Sequence, residues 1–390
     1  MVGGGIGGLA AAIALARSSW RVTILEQAPI YWAGGAGIVI TGNGDRALAE
    51  LGVAQAVADA SHPLRFTGIR DDAQRSLLAP RIPSAARGIH RQALHTALFD
   101  TASQLAELHM GARVTSIDVG SLTDDLASVA WMSVSGHYTM RADLIIGADG
   151  ARSELCSGVR QGASPRHSGY SAWRGVVADR DIVNSDWAIG WGSQLEFSAV
   201  RISTDAVAWH ALYPTPSLSA DPGDPEQILT RLAAWPDPAA QLAATTVPRT
   251  LLRHDLTHLN TTPTSFSSGR AVLLGDAAHP VLPTANQGAN LALEDATTLG
   301  RLLLPRGDLQ PALDAYDAHR IPRARTVHRV AHRLAALGAG CSDGLERSTR
   351  DRALRGRPGR FLERSLRQLP AWSGAPALTD RVPWRGLLRR

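Results

Sequence analysis

The chain reads as an α/β protein. A Rossmann-like dinucleotide-binding domain is interrupted by an inserted, mostly antiparallel β-sheet domain and followed by C-terminal helices. Three observations predict this. The stretch GGGIGG (3–8) leads into an apolar helical run and then a strand ending on an acid. From about Gly169 the texture changes to alternating segments such as YSAWRGVVAD and AVAWHALYP. At GRAVLLGDAAHP (269–280) a buried-strand texture returns, ahead of a long helix. The implied boundaries are 1–168 and 257–335 for the two parts of the nucleotide domain, 169–256 for the sheet domain and 336–390 for a basic helical tail.

The glycine loop comes first. Gly3 permits a tight turn, Gly5 lets backbone approach a pyrophosphate, and Gly8 lets the helix starting at Ile6 pack closely on a strand. That helix start offers free N–H groups and a positive dipole end to phosphate. RVTILE (21–26) is then a strand ending on Glu26, with Gln27 beside it; an acid there suits ribose hydroxyls and disfavours a 2′-phosphate. Helix, strand and terminal acid together indicate an adenine dinucleotide, without separating NAD from FAD. Only Met1 and Val2 precede the loop, whereas a central strand usually has about five residues. The expectation is a natural start a few codons upstream, or looser cofactor binding.

Further along, 40–53 is a turn running into a short helix, and 88–105 has apolar residues at helical spacing. Residues 112–118, 128–134 and 137–147 read as strands, the last running through ADLIIGADG. After the sheet domain begins, 221–245 looks helical behind a Pro/Asp-rich start. Residues 286–304 and 309–335 are helices, the second expected to kink or split at Pro322.

Composition narrows the function. All 40 basic residues are Arg, which excludes Schiff-base lysines, a Walker lysine and any catalytic ammonium. Residues 345–390 carry a net charge of +8, so the rest of the chain is slightly acidic. No known nucleic-acid-binding motif marks that basic stretch, so a solvated helical tail is favoured over a nucleic-acid surface; docking of GRFLERSLRQL on an anionic membrane is the lesser alternative. Two distant cysteines, Cys156 and Cys341, form no disulfide framework and suit a reducing cytoplasm. No apolar run approaches a membrane span, and the glycines interrupt any signal-peptide core.

Two later segments sharpen the cofactor: DLIIGADGARS (143–153) and AVLLGDAAHPVLPTANQGANLALEDA (271–296). With the first loop they resemble the three signatures of FAD-dependent monooxygenases of the p-hydroxybenzoate hydroxylase type, the single-component aromatic hydroxylases. HRQAL (90–94) and GYSAWRG (169–175) also match that family's texture. The resemblance implies FAD as cofactor and NADPH or NADH as transient reductant. It implies an oxygen transfer through a flavin hydroperoxide that hydroxylates, or epoxidises, a hydrophobic and aromatic small molecule. It places Asp276 on the ribityl chain, Arg91 and Gln92 at pyrophosphate and ribityl, and Asp149 with Gly150 at FAD and nicotinamide. The helix beginning near Gln287, Gly288, Ala289 and Asn290 would point at the flavin pyrimidine edge, with Pro283 beside the ring.

Two departures from the family pattern matter. Cys156 stands where an Arg commonly follows Ser153, and Asn286 where a Gly precedes Gln-Gly; Asn tolerates a left-handed backbone better than most residues. His279 reads as structural or as a general base, and Arg174 as a substrate contact or an ion-pair partner. Trp173, Trp187, Trp191, Trp209 and Tyr213 concentrate in the sheet domain; they either pack it or line a substrate pocket. A halogenase is disfavoured, since the Lys and W-x-W-x-I-P motif it needs are missing. A reductase or cyclase of an isoprenoid or polyketide, and a non-catalytic flavin- or ligand-binding resistance protein, are the alternatives. The partners expected are substrate and O2, with no nucleic acid, on a monomer or homodimer.

Overall fold

A computed structural model describes residues 1–374 apart from 31–35, 81–85, 124, 152–158, 160–161, 179–185, 217–222, 262 and 306. Ser153 and Cys156, with the departure noted there, lie outside the described residues, as does the end of the tail. The helices are α1 (Ile6–Arg17), α2 (Gly42–Glu50), α3 (Ala54–Asp59), α4 (Arg91–Ser103), α5 (Pro225–Ala233), α6 (Ala239–Thr245), α7 (Gly288–Leu302), α8 (Leu309–Leu337), α9 (Leu345–Leu354) and α10 (Arg357–Gln368). Pro322 does not divide α8, which runs unbroken through it.

The nucleotide domain is built on a largely parallel sheet. Strand β1 (Thr23–Glu26) pairs with β7 (Glu107–Met110), and β11 (Ile145–Gly147) pairs with β18 (Ala271–Leu273), which carries the short β17 (Ser267–Ser268). Val2 joins the two halves through parallel bridges to Leu25 and Gly147. Its amide donates to the Ile146 carbonyl at 2.8 Å, and its own carbonyl accepts from Ala148. Two residues therefore fill the strand position that aims the glycine loop. The span 137–147, read as one strand, breaks in two. Strand β10 (Gly136–Ala142) forms an antiparallel layer with β9 (Ala127–Ser133) and β8 (Arg113–Asp118), whereas β11 joins the parallel sheet.

Small residues let the helices close on this sheet. A Cβ on Gly8 would stand 2.0 Å from the Gly3 carbonyl oxygen. A Cβ on Gly300 of α7 would stand 2.7 Å from Ala14 of α1. Leu9, Ile13 and Leu299 are fully buried here, each worth roughly 1.5–3 kcal/mol of apolar transfer.

The second sheet runs β16–β12–β15–β14–β13–β4–β5. Its members are β16 (Leu252–Leu259), β12 (Pro165–Ala178), β15 (Ala206–Pro214), β14 (Glu196–Arg201), β13 (Trp187–Trp191), β4 (Phe66–Asp71) and β5 (Ser76–Leu78). It is therefore wider than the 169–256 span read from sequence, because β4 and β5 cross over from the first segment. A small sheet of β2 (Gly37–Ile40), β6 (Ala86–His90) and β3 (Ser61–Leu64) links the domains. One face of the large sheet, with Ala172, Ala208, Leu212 and Val200, packs on Leu282, Leu291 and α8–α10. The other face, with Trp173, Phe197, Trp209 and Ala211, is covered by α5 and α6.

Candidate functional site

We place the cleft between the first of these faces and the C-terminal edge of the parallel sheet, where Arg174, Arg91 and Asp276 come within electrostatic reach of one another. Gly3 (φ +99°) makes the turn off Val2 in a conformation that side chains rarely adopt, and a Cβ there would stand 2.5 Å from the Ala148 carbonyl oxygen. Gly5 caps α1 without a side-chain partner, the first turn holds no acid, and a Cβ on Gly5 would meet nothing within 4 Å. The space beside Gly5 at the start of this helix is therefore open, as an anion site needs. Glu26 braces this loop: its carboxylate accepts from the Gly4 amide at 2.6 Å and from the Ala28 amide at 2.8 Å. Gln27 beside it is exposed.

His95 was not singled out from sequence, yet it holds the other end of Gly4. Its Nε2 meets the Gly4 carbonyl at 2.8 Å, and burial lowers its pKa to about 4. The neutral ring donates that hydrogen bond. Its helical spacing behind His90-Arg91 was the only sequence signal, and that spacing also fits an ordinary core position.

Asp276 sits in a 3₁₀ turn (Gly275–Ala277) directly after β18. Its side chain is exposed to the cleft but walled by protein. Burial pushes its carboxyl pKa up, against the pull of His279, Arg91 and Arg174. A second turn, Pro283–Ala285, ends on Asn286 in the left-handed region (φ +52°), and α7 starts two residues later. That helix also begins without a side-chain cap or an acid in its first turn. A Cβ on Gly288 would lie 4.0 Å from Asp276 Oδ1, so the helix start and the carboxylate share one wall. Pro283 and Ala289 are half-buried on the same stretch. Gly150 (φ +85°) has nothing within 4 Å of a Cβ, and Asp149 beside it is half-buried. Arg91 opens α4 and is half-buried; Gln92 is exposed, and its amide donates to Nδ1 of the capping His90 at 3.2 Å.

Other site expectations need correction. The side chains of Gln287 and Asn290 face away from the cleft. Gln287 bonds Thr41 Oγ1 (3.1 Å) and Asn43 Nδ2 (2.9 Å); Asn290 accepts from the Thr41 amide and donates to the Val39 and Asn286 carbonyls. These two residues pin α7 to the segment before α2 and leave only backbone N–H groups for a cofactor. His279, read as a possible base, is buried against Asp295 (Nε2–Oδ2 2.6 Å) and packed on Phe266. Asp295 also binds Arg320 (2.6 Å) and the Gly275 amide (2.8 Å). Burial alone would raise the Asp295 pKa; His279 and Arg320 instead hold it well below the usual carboxylate range. This network fixes the Asp276 turn rather than facing a substrate.

The substrate aromatics are also misplaced. Trp173 and Trp209 lie in the core under α5 and α6, with Trp209 Nε1 donating to Thr246 Oγ1 at 3.0 Å. Tyr213 packs against that same cluster and accepts from Arg253 Nε. Trp187 and Trp191 are buried on the other face, where Trp191 Nε1 donates to Glu196 Oε2 at 2.8 Å and Arg350 lies over the ring. Alternation turns Trp173, Trp209 and Tyr213 into the core under α5 and α6, whereas Trp187 and Trp191 share the cleft-side face but are buried in its core.

Strand register shows what does share Arg174's face. Arg174 pairs with His210, and His210 with Ser198, giving a polar row across β12, β15 and β14. Glu196 is 3.7 Å from His210 Nε2. Desolvation and the neighbouring Arg91 pull the Arg174 pKa down to about 10, with Asp276 opposing. Arg91, Arg174 and Asp276 therefore share one electrostatic environment.

These features fit FAD. An open, uncapped helix start over Gly5 suits the pyrophosphate. An exposed carboxylate in a walled cleft suits the ribityl hydroxyls. A second uncapped helix start beside it suits a flavin edge that gains negative charge on reduction.

Comparison with known proteins agrees. The family described as FAD binding domain matches residues 1–331. The chain is 33% identical over 347 residues to aurachin C monooxygenase/isomerase of Stigmatella aurantiaca, covering 87% of this chain and 88% of that protein. It is 32% identical over 375 residues to 3-amino-4-hydroxybenzoate 2-monooxygenase of Streptomyces cremeus, covering 91% of each. Among solved structures it resembles HpxO of Klebsiella pneumoniae complexed with FAD and uric acid, with a TM-score of 0.81, 25% identity and 95% of both chains covered.

Proposed function

The chain belongs to the FAD binding domain family and is an FAD-dependent monooxygenase; on that premise we propose that it oxygenates an aromatic ring bearing an ionisable oxygen, held against Arg174. The observation that carries this reading is the position of Arg174. It is a cation at the junction of the sheet face and the FAD cleft, partly desolvated and sharing its surroundings with Arg91 and Asp276.

In this reading the glycine loop and the start of α1 hold the pyrophosphate, braced by Glu26 and His95. Asp276 accepts from the ribityl hydroxyls, and the first turn of α7 faces the pyrimidine edge. FAD held there would supply the redox chemistry, passing two electrons from NAD(P)H to O2 so that one oxygen atom enters the substrate and the other leaves as water. The chain's own residues orient and exclude water. Arg174 pairs with the substrate oxyanion and so favours the ionised form, whose ring carbon is richer in electrons than that of the neutral hydroxyl compound. His210 and Ser198, next in the row, complete the polar wall, and Pro283 sets the distance between ring and turn.

The test is a panel of phenols and hydroxylated nitrogen heterocycles, each paired with its O-methyl ether. Free hydroxyl compounds are expected to stimulate NAD(P)H oxidation and gain one oxygen; the ethers are not. Arg174→Gln should lower kcat/KM for the hydroxyl compounds by about 10- to 100-fold, the loss of one charged hydrogen bond. Equal turnover of ethers and phenols would overturn the reading. The likeness to a monooxygenase/isomerase favours a second outcome, oxygenation followed by rearrangement, which NMR of the product distinguishes from simple hydroxylation.

A further inference from the structure

Away from the cleft, three histidines converge between β16 and α8. His328 and His332 are one helical turn apart on α8, with ring centroids 4.2 Å apart, and His258 of β16 faces them at 5.1 Å from His332 and 6.1 Å from His328. One nitrogen from each lies within 4.8 Å of the others. All three are half-buried. His332 Nε2 is buried and has no hydrogen-bond partner among the described residues, a state that ordinarily destabilises a fold.

We propose that His258, His328 and His332 form a binding site for a divalent transition-metal ion of the Zn2+ class, clamping α8 to the edge strand of the substrate sheet. Three neutral imidazoles and no carboxylate select Zn2+, Co2+, Ni2+ or Cu2+ over Mg2+ or Ca2+. Two histidines at i and i+4 plus one from a facing strand leave an open coordination position for water. Small rotations of the rings bring the nitrogens from their present spacing to metal–nitrogen distances of about 2.0–2.1 Å. Arg325 and Arg329, one to three residues from His328 along α8, add positive charge and moderate the affinity.

The site is also mechanically linked to the cleft. Thr284 Oγ1 donates to the Ala331 carbonyl at 2.7 Å, between the two helical ligands, so fixing α8 fixes the Pro283–Ala285 turn. The proposal does not depend on the oxygenase reading.

The test uses the FAD-loaded, metal-stripped protein. Titration with ZnCl2 in a calorimeter should give saturable 1:1 binding and a rise in Tm, and CoCl2 should produce visible ligand-field bands. MgCl2 should do neither. His332→Asn and His328→Ala, made separately, should each weaken Zn2+ binding at least 100-fold while His109→Ala leaves it unchanged. Either variant alone suffices if the other fails to fold. Non-saturable binding, or affinity equal to wild type in a folded His332 or His328 variant, would overturn the proposal.

Discussion

At the scale of single residues, Asp276 and His95 separate what cofactor binding needs from what the loop needs. Asp276→Ala removes a hydroxyl acceptor whose charged hydrogen bonds are worth about 1.5–3 kcal/mol. FAD retention on gel filtration and by flavin fluorescence should fall about 10- to 100-fold, with Tm of the apoprotein little changed. His95 predicts a pH dependence. Its folded pKa of about 4 lies below the ordinary value of 6.5, so above that value both states are neutral. As pH falls towards 4, the unfolded chain takes the proton first and stability is lost, by up to about 3 kcal/mol. Urea unfolding between pH 7 and pH 4 should show this slope in wild type and a shallower one in His95→Gln; parallel slopes would rule His95 out. Trp209→Ala should cost about 3–5 kcal/mol of stability and leave KM of the folded enzyme unchanged, since the ring lies under α5 and α6. Asp276 was singled out only through the resemblance of its motif to a family signature, whereas the glycine loop was legible in the sequence because special backbone positions admit few residue types. The tryptophans were not, because alternation reveals two faces without saying which one looks into the cleft.

At the scale of elements, the pairing of α7 with α8 fixes the cleft wall. Arg320 is 2% exposed and binds both Asp295 and Glu294, and Arg323 adds a second cation on Glu294. Arg320→Leu removes one cation from each of two buried carboxylates, leaving Glu294 with Arg323 and Asp295 with His279, and should cost about 3 kcal/mol. It should also loosen FAD, because Asp295 carries the Gly275 amide that sets the Asp276 turn. Chemical denaturation and flavin release read the two effects separately, and loss of stability with undiminished FAD affinity would sever that link. At Asn286, φ +52° explains why the turn survives without the family's glycine. Asn286→Gly should be tolerated, whereas Asn286→Val should cost about 1–2 kcal/mol by differential scanning calorimetry. The recurring apolar runs made these helices readable from sequence. The crossover of β4 and β5 into the large sheet was not readable, because pairing across more than a hundred residues leaves no local signal.

At the scale of the whole molecule, the inserted sheet is sandwiched between α5–α6 on one side and the nucleotide domain with α8–α10 on the other. The described part of the basic tail belongs to this packing: Leu354, Leu362 and Leu369 are buried in the core on that side of the sheet, while Phe361 of α10 stays exposed. No helix among the described residues is long and apolar enough to cross a membrane. The order of domains was legible because buried-strand and alternating textures differ; the polar row of Arg174, His210 and Ser198 was not, since it exists only once three strands are in register. The central claim is that this architecture inserts an atom of O2 into an aromatic substrate. The most direct measurement supplies isotopically labelled O2, NAD(P)H and a hydroxylated aromatic to the FAD-loaded enzyme and weighs the product. The account predicts one labelled oxygen per product molecule, formed in step with NAD(P)H consumed. Reductant consumed with no label in any product, or product formed without O2, would contradict it.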